Sequence, residues 1–221
     1  MNTFFFAIYP YICVTLLVLG VLFRYVATPE AWNARSSEVF ERKALRIGSP
    51  IFHYAILLSF LGHVGGLLTP DWVMRLLHVP TEVHLEVALI TGQVLAPLVI
   101  VGLGILLWRR LTNCRVFATT EPMDIVIVVF ILINACTGLY QAYVSQFSVF
   151  TTIGPWLRGA VLFSPDVALM LPVPFFMQLH VVSGFAIFAM LPFSRLVHIL
   201  SVPVTYAVRP FIVFRRRYGG I

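Results

Sequence analysis

The chain has 221 residues, of which 60% are hydrophobic and only 11% are charged, and its formal net charge is +6. A soluble globular protein is usually about 45–50% apolar and about 25% charged. A chain of this size therefore lacks the polar surface that water requires, and the composition predicts an integral membrane protein. No polar linker or soluble module interrupts the sequence, which favours a single domain over residues 1–221.

Five apolar stretches of about 20 residues follow one another along the chain, each long enough to cross a bilayer as a helix. They cover residues 4–23, 50–69, 87–108, 124–144 and 175–200. The fifth is long enough to tilt or to extend beyond the bilayer. The first lacks a basic leader and a clear cleavage site, so we expect a retained helix. The sequence thus predicts an all-α integral membrane protein with five transmembrane helices.

Lysine and arginine alternate between the connections, and this pattern predicts the orientation because cytoplasmic loops carry the excess of positive charge. The first connection, the third and the C-terminal tail are basic, whereas the second contains only Arg75 and the fourth only Arg158. We therefore expect the N-terminus outside and the C-terminus in the cytoplasm, in a multi-pass protein of the cell membrane. Anionic lipid headgroups are the ordinary partner of such charge, and the scattered cations do not favour nucleic acid.

Cysteine does not indicate a redox centre in this chain. Cys13, Cys114 and Cys136 form neither a CxxC nor a CxxCH motif. An iron–sulfur cluster and a covalently attached c-type haem are therefore not indicated, and any redox cofactor must be bound without cysteine.

Four of the six histidines lie inside the second and fifth predicted helices, where ionisable groups are costly and face the protein interior. They are His53, His63, His180 and His198. Because five helices that alternate in direction make the second and the fifth antiparallel, His53 meets His198 near the cytoplasmic side. His63 meets His180 nearer the outside, so the two pairs lie at different depths.

The spacing separates these pairs. At about 1.5 Å per residue, His53 and His63 lie roughly 15 Å apart along the helix axis. The same rise places His180 and His198 roughly 27 Å apart and, after five turns, on one face. These unequal spans require tilted helices or tilted cofactor planes and exclude one zinc or copper ion shared by all four. Two stacked bis-histidine sites remain, and paired imidazoles from two helices are typical of b-type haem.

The surroundings of the histidines have more than one interpretation. Four glycines, at positions 62, 65, 66 and 184, leave room for a flat macrocycle or serve close helix packing. Arg195, three residues before His198, neutralises a haem propionate or extends to the lipid headgroups. The histidines themselves fit a haem protein, a transporter with proton relays, or a structural anchor.

The four histidines lie in two long segments, PIFHYAILLSFLGHVGGLLTP and QLHVVSGFAIFAMLPFSRLVHILSVP. Together with FFAIYPYI, RSSEVFERKALRIGSPIFH and ATTEPMD, they resemble the membrane cytochrome b (gamma) subunit of respiratory nitrate reductase. The resemblance covers nearly the whole chain. FLGH and FSRLVHILSVP at this separation are its most specific elements.

The resemblance implies a five-helix protein that binds two b-type haems and oxidises quinol near the outer face. Electrons would pass to an iron–sulfur subunit and then to a molybdenum catalytic subunit, which holds the terminal acceptor site. By motif, His53 and His198 match the axial ligands of the cytoplasmic-side haem, and His63 and His180 match those of the outer-side haem. Helix topology gives the same pairs independently.

The connection after the second helix departs from the family pattern. It reads PTEVHLEV, and His84 stands where related proteins can carry a lysine close to the quinol site. Histidine titrates near physiological pH and can accept a proton. His84, with Glu82 and Glu86, is therefore a candidate quinol contact; the alternative is a solvated loop with a helix-start charge pattern.

A partner is implied, because the chain has no cysteine cluster, phosphate loop or soluble domain of its own. We expect a cytoplasmic docking face from residues 25–48, 109–123 and 201–221, in which the arginines at 215–217 meet an acidic partner or lipid phosphate. Residues 145–174, with Trp156, suggest a segment that lies along the interface and covers the quinol entrance. A cytochrome b anchor of another quinone-linked reductase would have the same haem ligands and stays an alternative.

Overall fold

The structure, a computed structural model, describes residues 2–28, 37–145 and 147–201, except for the side chain of residue 71. Within these residues the chain forms helices, turns and short connections, and no strand. The eight α-helices are α1 (Tyr9–Ala27), α2 (Lys43–Leu67), α3 (Asp71–Leu76), α4 (Thr81–Thr112), α5 (Cys114–Phe117), α6 (Pro122–Tyr140), α7 (Ile153–Val161) and α8 (Phe175–Met190). The arginines at 215–217 and parts of the expected docking face lie outside the described residues.

Five helices of the described chain are long and apolar enough to cross a membrane, as the sequence predicts. With their π-helical and 3-10 extensions, they are Phe4–Ala27, Lys43–Leu67, Thr81–Thr112, Pro122–Ser145 and Phe175–Phe193. Large apolar side chains cover their outer surfaces; Val26 is 76% exposed and Leu61 is 62% exposed. Such a surface is stable against lipid chains but not against water, so the chain is a multi-pass membrane protein.

The helices pack in the order α2, α4, α6, α8 and α1. Glycines bring α2 and α4 together: a Cβ atom on Gly102 would lie 2.6 Å from the backbone nitrogen of Phe52, and one on Gly48 would lie 2.9 Å from Ile105 Cγ2. Over the described residues, α2 and α8 do not pack closely on each other. The two helices predicted to carry the histidine pairs are therefore separated by a gap.

The core between α2, α4 and α6 is aliphatic and contains one aromatic ring. Its buried residues are Phe52, Ala55, Leu95, Val99, Leu103, Ile127 and Ile131. Partly buried side chains from α8, Ile187 and Met190, pack against it. This core fixes the positions of α2, which carries His53 and His63, and of α8, which carries His180.

The fifth predicted helix does not continue to residue 200. α8 ends at Met190, and 3-10 turns follow at Leu191–Phe193 and Arg195–Val197. Pro192 lacks a backbone N–H and its ring clashes with a continuing helix, and Ser194 adopts an extended conformation. The expectation of five uninterrupted turns between His180 and His198 is therefore wrong, and the roughly 27 Å span on which the predicted tilt rested no longer applies.

The connection between α6 and α8 folds onto the bundle. Trp156 of α7 is 1% exposed, and its indole Nε1 donates to the carbonyl of Phe6 over 2.9 Å. α7 packs on α2, and Arg158 donates to the carbonyl of Leu67 at the end of that helix. The side chain of Trp156 therefore belongs to the core and does not point toward lipid headgroups, and the position of residues 145–174 along the interface stays a prediction.

We call the end of the bundle that carries Arg24, Arg109, Arg110 and Arg195 the basic end. Here Arg109 is 4% exposed and donates from Nε to Glu41 over 2.7 Å. Burial alone would raise the pKa of Glu41, but hydrogen bonds from the Ala44 backbone and from Arg109 outweigh it and lower the pKa below its ordinary value. The ion pair between Glu41 and Arg109 connects the segment before α2 to the last turns of α4.

Candidate haem-binding sites

The structure brings the four predicted histidines together in the two predicted pairs. The ring centroids of His53 and His198 are 5.8 Å apart, with an interplanar angle of 57°. Those of His63 and His180 are also 5.8 Å apart, with an angle of 25°. Ten residues of continuous helix separate His53 from His63, which is roughly 15 Å at the rise of an α-helix. Two distinct sites therefore lie at different depths of the bundle.

The spacing within each pair suits one metal ion between two imidazoles. Metal–imidazole bonds are about 2 Å long, and a ring centroid lies about 1 Å behind its nitrogen, so ligands on opposite sides have centroids roughly 6 Å apart. The observed 5.8 Å agrees in both pairs. Among the described residues, no three histidine, cysteine or acidic side chains converge as a metal-binding group. Any metal ion held here would need ligands besides the protein's two imidazoles, as a haem provides.

Each of the four rings is fixed through Nδ1 by a backbone carbonyl. His53 Nδ1 lies 2.8 Å from Ser49 O, and His63 Nδ1 lies 2.7 Å from Ser59 O. His180 Nδ1 lies 2.9 Å from Asn134 O, and His198 Nδ1 bonds to Arg195 O. Because a carbonyl oxygen only accepts, Nδ1 must carry the proton.

This tautomer leaves the lone pair on Nε2, and in the described part of the chain no hydrogen bond engages any of these four Nε2 atoms. A metal-binding histidine typically donates its other ring N–H to a carbonyl or carboxylate, which fixes the ring and raises the basicity of the ligand. The four side chains therefore have the tautomer that metal coordination through Nε2 requires.

The space beside two glycines near His63 is open. A Cβ atom on Gly62 or Gly65 would have no described atom within 4 Å, and α2 and α8 are separated at this depth. Gly184 is different, because a Cβ there would make an ordinary contact of 3.5 Å with Asn134. Gly62 and Gly65 therefore serve no helix packing among the described residues, whereas Gly184 lies in a helix contact.

Three residues of α6 that surround His180 were not among the site residues predicted from the sequence. Asn134 donates to the carbonyl of His180 over 2.8 Å, and Thr137 Oγ1 lies 3.2 Å from the His180 ring nitrogen. Gly138 faces the ring, since a Cβ there would lie 3.0 Å from His180 Cε1. The signal was present in the sequence: Asn134 and Thr137 are polar residues three positions apart in an otherwise apolar helix, hence on one face.

Arg195 has a partner that neither sequence interpretation included. Its Nε donates to Asp124 over 2.9 Å, and its Nη2 donates to the carbonyl of Thr119 over 2.6 Å. Asp124 is 5% exposed and also accepts from Arg110 over 2.9 Å. A buried carboxylate between two guanidinium groups thus lies beside the segment that carries His198.

His84 lies near the site of His63 and His180, at the other end of the bundle from the basic end. Its ring stacks on Phe150 with centroids 3.9 Å apart, and its Nε2 is 3.6 Å from where a Cβ of Gly66 would be. Gly66 follows His63 by three residues on α2, so the two lie on one face. Glu82 and Glu86 are exposed beside His84 on the first turns of α4.

Comparison with known proteins gives one consistent family. The family described as nitrate reductase gamma subunit matches residues 2–217. The chain is 36% identical over 214 residues to the nitrate reductase gamma chain of Bacillus subtilis, covering 95% of this chain and 96% of that protein. It is 38% identical over 222 residues to the respiratory nitrate reductase 2 gamma chain of Escherichia coli, with 98% of each chain covered. The nitrate reductase-like protein NarX of Mycobacterium tuberculosis is 32% identical over 224 residues, which cover 98% of this chain and 34% of that protein.

Proposed function

Because the chain belongs to the nitrate reductase gamma subunit family, we propose that it is the dihaem cytochrome b subunit of a respiratory nitrate reductase complex. In this role it oxidises quinol near the outer face of the cell membrane and delivers electrons to a cytoplasmic iron–sulfur subunit, which passes them to a molybdenum catalytic subunit. Gamma chains belong to nitrate reductase complexes, so the chain is a membrane subunit of an oxidoreductase that works in respiratory electron transport.

One observation carries this proposal: four imidazoles, paired at two depths of the bundle, each donate Nδ1–H to a backbone carbonyl and leave Nε2 for a metal ion. We assign His53 and His198 as axial ligands of one haem b, and His63 and His180 as those of the other. When bound, each haem supplies a one-electron carrier. The protein contributes ligand tautomer, ring orientation, and an apolar frame that excludes water.

The charge distribution supports an orientation with the basic end in the cytoplasm. Arg24, Arg109, Arg110 and Arg195 all lie at that end, and cytoplasmic segments of membrane proteins carry the excess of positive charge. His53 and His198 are then on the cytoplasmic side, and His63, His180 and His84 on the outer side. In this orientation, protons from quinol are released outside while electrons move inward.

We assign His84 as the quinol contact that accepts a proton. Its ring is held by stacking on Phe150 and lies beside Gly66, one turn beyond His63 on α2. An imidazole can take a proton from a quinol hydroxyl near neutral pH. Arg158, which binds the end of α2, holds the neighbouring connection in place.

The test is the haem-to-protein ratio of the purified complex, with reduced-minus-oxidised spectra of the wild type, His63→Ala and His84→Leu. We expect about two b-type haems per chain in the wild type. His63→Ala removes one ligand of a single site, so one haem and quinol-dependent haem reduction are lost. His84→Leu keeps both haems but slows reduction by quinol at least tenfold, since a positioned proton acceptor typically contributes about 10²–10⁴-fold.

His78→Asn is the matched control, because His78 has a positive φ of 55°, a conformation that asparagine tolerates. This variant is expected to keep both haems and full quinol oxidation. Wild-type complex without haem would contradict the electron-transfer proposal. Unchanged quinol oxidation and inhibitor sensitivity in His84→Leu would remove His84 from the quinol site while leaving the haem ligands in place.

A further inference from the structure

A buried charge cluster joins three parts of the chain at the basic end. Asp124, at the start of α6, accepts from Arg195 Nε over 2.9 Å and 3.0 Å and from Arg110 of α4 over 2.9 Å. The same carboxylate accepts the backbone N–H of Glu121 over 3.1 Å. Both of its oxygens are thus engaged, which is the arrangement that a buried carboxylate requires.

The cluster is connected to the candidate ligand His198 through Arg195, whose side chain belongs to the cluster and whose backbone carbonyl contacts the imidazole. Arg195 begins the 3-10 turn Arg195–Val197, and its backbone carbonyl accepts the hydrogen bond from His198 Nδ1. The guanidinium group of Arg195 is held from the other side by Thr119 O over 2.6 Å. Since the carbonyl and the guanidinium belong to one residue, whatever fixes the side chain of Arg195 also limits the movement of the carbonyl that orients His198.

The segment before this turn cannot orient His198 as a continuous helix would. α8 ends at Met190, and Ser194 is extended. Arg24 of α1 donates to the carbonyls of Pro192 and Ser194, and the Ser194 carbonyl also accepts from the backbone N–H of Val197 over 3.4 Å. Of the four candidate ligands, His198 alone lies beyond such a break, so side-chain contacts replace the helix there.

We propose that Asp124 is a positioning residue for the His53–His198 site: its carboxylate fixes Arg195, whose carbonyl accepts the hydrogen bond that orients the His198 imidazole. This inference rests on the proposed function, since it needs a haem between His53 and His198. Asp124 touches neither imidazole; it acts through Arg195.

Replacement of Asp124 by asparagine removes one negative charge and keeps the size of the side chain. The cluster of two arginines and one aspartate then gains one unit of positive charge, and its hold on Arg195 weakens. A looser hydrogen bond at Nδ1 makes the imidazole a less basic ligand. Added positive charge and a less basic ligand both favour the reduced iron, so the midpoint potential of this haem rises.

The experiment is a redox titration with low-temperature EPR on the complete complex, comparing the wild type, Asp124→Asn and Asp124→Glu. In Asp124→Asn we expect the haem of the His53–His198 site to become about tenfold easier to reduce, which is about 59 mV for one electron. Its low-spin EPR signal shifts, while the other haem keeps its potential and signal. Asp124→Glu, which keeps the charge, returns the potential toward the wild-type value.

Glu38→Gln is the matched control, because it removes a carboxylate from an exposed ion pair with Arg42. Both residues lie in the segment before α2, and neither haem should change its midpoint potential or EPR signal. The inference is overturned if both haems of Asp124→Asn match the wild type, or if both shift together as a general loosening would cause. If Asp124→Asn does not assemble, Arg195→Lys decides, because lysine keeps the charge but cannot bond to Asp124 and to the Thr119 carbonyl together as Arg195 does. A changed EPR signal of this haem alone supports the inference, and an unchanged one overturns it. Wild-type complex without haem would instead overturn the proposed function.

Discussion

At the scale of the residue, the main feature is that each candidate ligand uses its two ring nitrogens differently. All four rings donate from Nδ1 to a carbonyl, and all four Nε2 atoms remain for another ligand. This is the tautomer that the proposed coordination through Nε2 requires.

Gly138 offers a test at this scale, because it makes room for the His180 ring. A Cβ atom there would lie 3.0 Å from His180 Cε1, so Gly138→Val should displace the imidazole at a cost of about 1–3 kcal/mol. We expect loss or marked weakening of the haem held by His63 and His180, with the other haem kept, in optical spectra of the purified complex.

Gly184→Ala is the comparison for Gly138, since a Cβ at position 184 would make only an ordinary 3.5 Å contact with Asn134. It should keep both haems. If Gly138→Val bound two haems with wild-type spectra, the assigned position of the His180 ring would be wrong.

The histidines could be identified from the sequence, whereas their supporting residues could not. An imidazole in an apolar stretch is conspicuous because burying it is costly. Asn134, Thr137 and Gly138 act from another helix, and their roles depend on how α6 rotates toward α8. That rotation is set by side-chain packing across the bundle, which helical periodicity along one segment does not specify.

At the scale of the element, the number and approximate centres of the transmembrane helices could be predicted, because about 20 apolar residues have few other stable arrangements in a bilayer. The ends could not. α4 begins six residues before the predicted residue 87, and α8 stops ten residues before the predicted residue 200. Pro192 indicated that α8 ends early. The hydropathy of the sequence stays high through the 3-10 turn that follows, so a hydropathy pattern does not reveal the end of the α-helix.

The contact between α2 and α4 yields a prediction about this element pair. A Cβ on Gly102 would lie 2.6 Å from the backbone nitrogen of Phe52, which cannot rotate away. Gly102→Ala should therefore push the helices apart and destabilise the protein by about 1–3 kcal/mol. The measurement is thermal unfolding of the detergent-solubilised complex, followed by haem absorbance.

Gly104→Ala on the same helix is the control, since no described atom lies within 4 Å of a Cβ at that position. Alanine is a better helix former than glycine by about 0.8–1.0 kcal/mol, so this variant should be as stable as the wild type or slightly more stable. Equal effects of the two substitutions would show that close packing at Gly102 is not the cause.

At the scale of the whole molecule, the bundle is a membrane frame with two histidine pairs at different depths and a basic end. Its helix order leaves α2 and α8 apart, although α2 carries two of the candidate ligands, α8 carries a third, and the fourth, His198, lies in the segment that follows α8. Sequence reasoning reached the antiparallel relation of these helices from connectivity alone. The gap between them follows from how α4 and α6 pack, which connectivity does not determine.

The orientation of the whole molecule can be tested with a natural cysteine. Cys114, in α5 at the basic end, is exposed, and Glu82, at the start of α4, is exposed at the other end. In cells that express this chain without its partners, a membrane-impermeant maleimide should label Glu82→Cys in intact cells. It should label Cys114 only after permeabilisation.

Cys114→Ser serves as the background for the Glu82→Cys measurement and should itself remain unlabelled by the impermeant reagent, since Cys13 is buried and Cys136 lies within the apolar part of α6. The reverse labelling pattern would place the basic end outside. It would also reverse the proposed sides of quinol oxidation and of docking.

One contact also bears on the order in which the protein matures. His53, His63 and His198 bond to carbonyls three or four residues earlier in their own segments, so their rings are oriented as soon as those turns form. His180 bonds to Asn134 O, which belongs to a different helix. Its ring acquires its orientation only after α6 and α8 have docked, so a fully formed His63–His180 pair is expected to report that these two helices have come together.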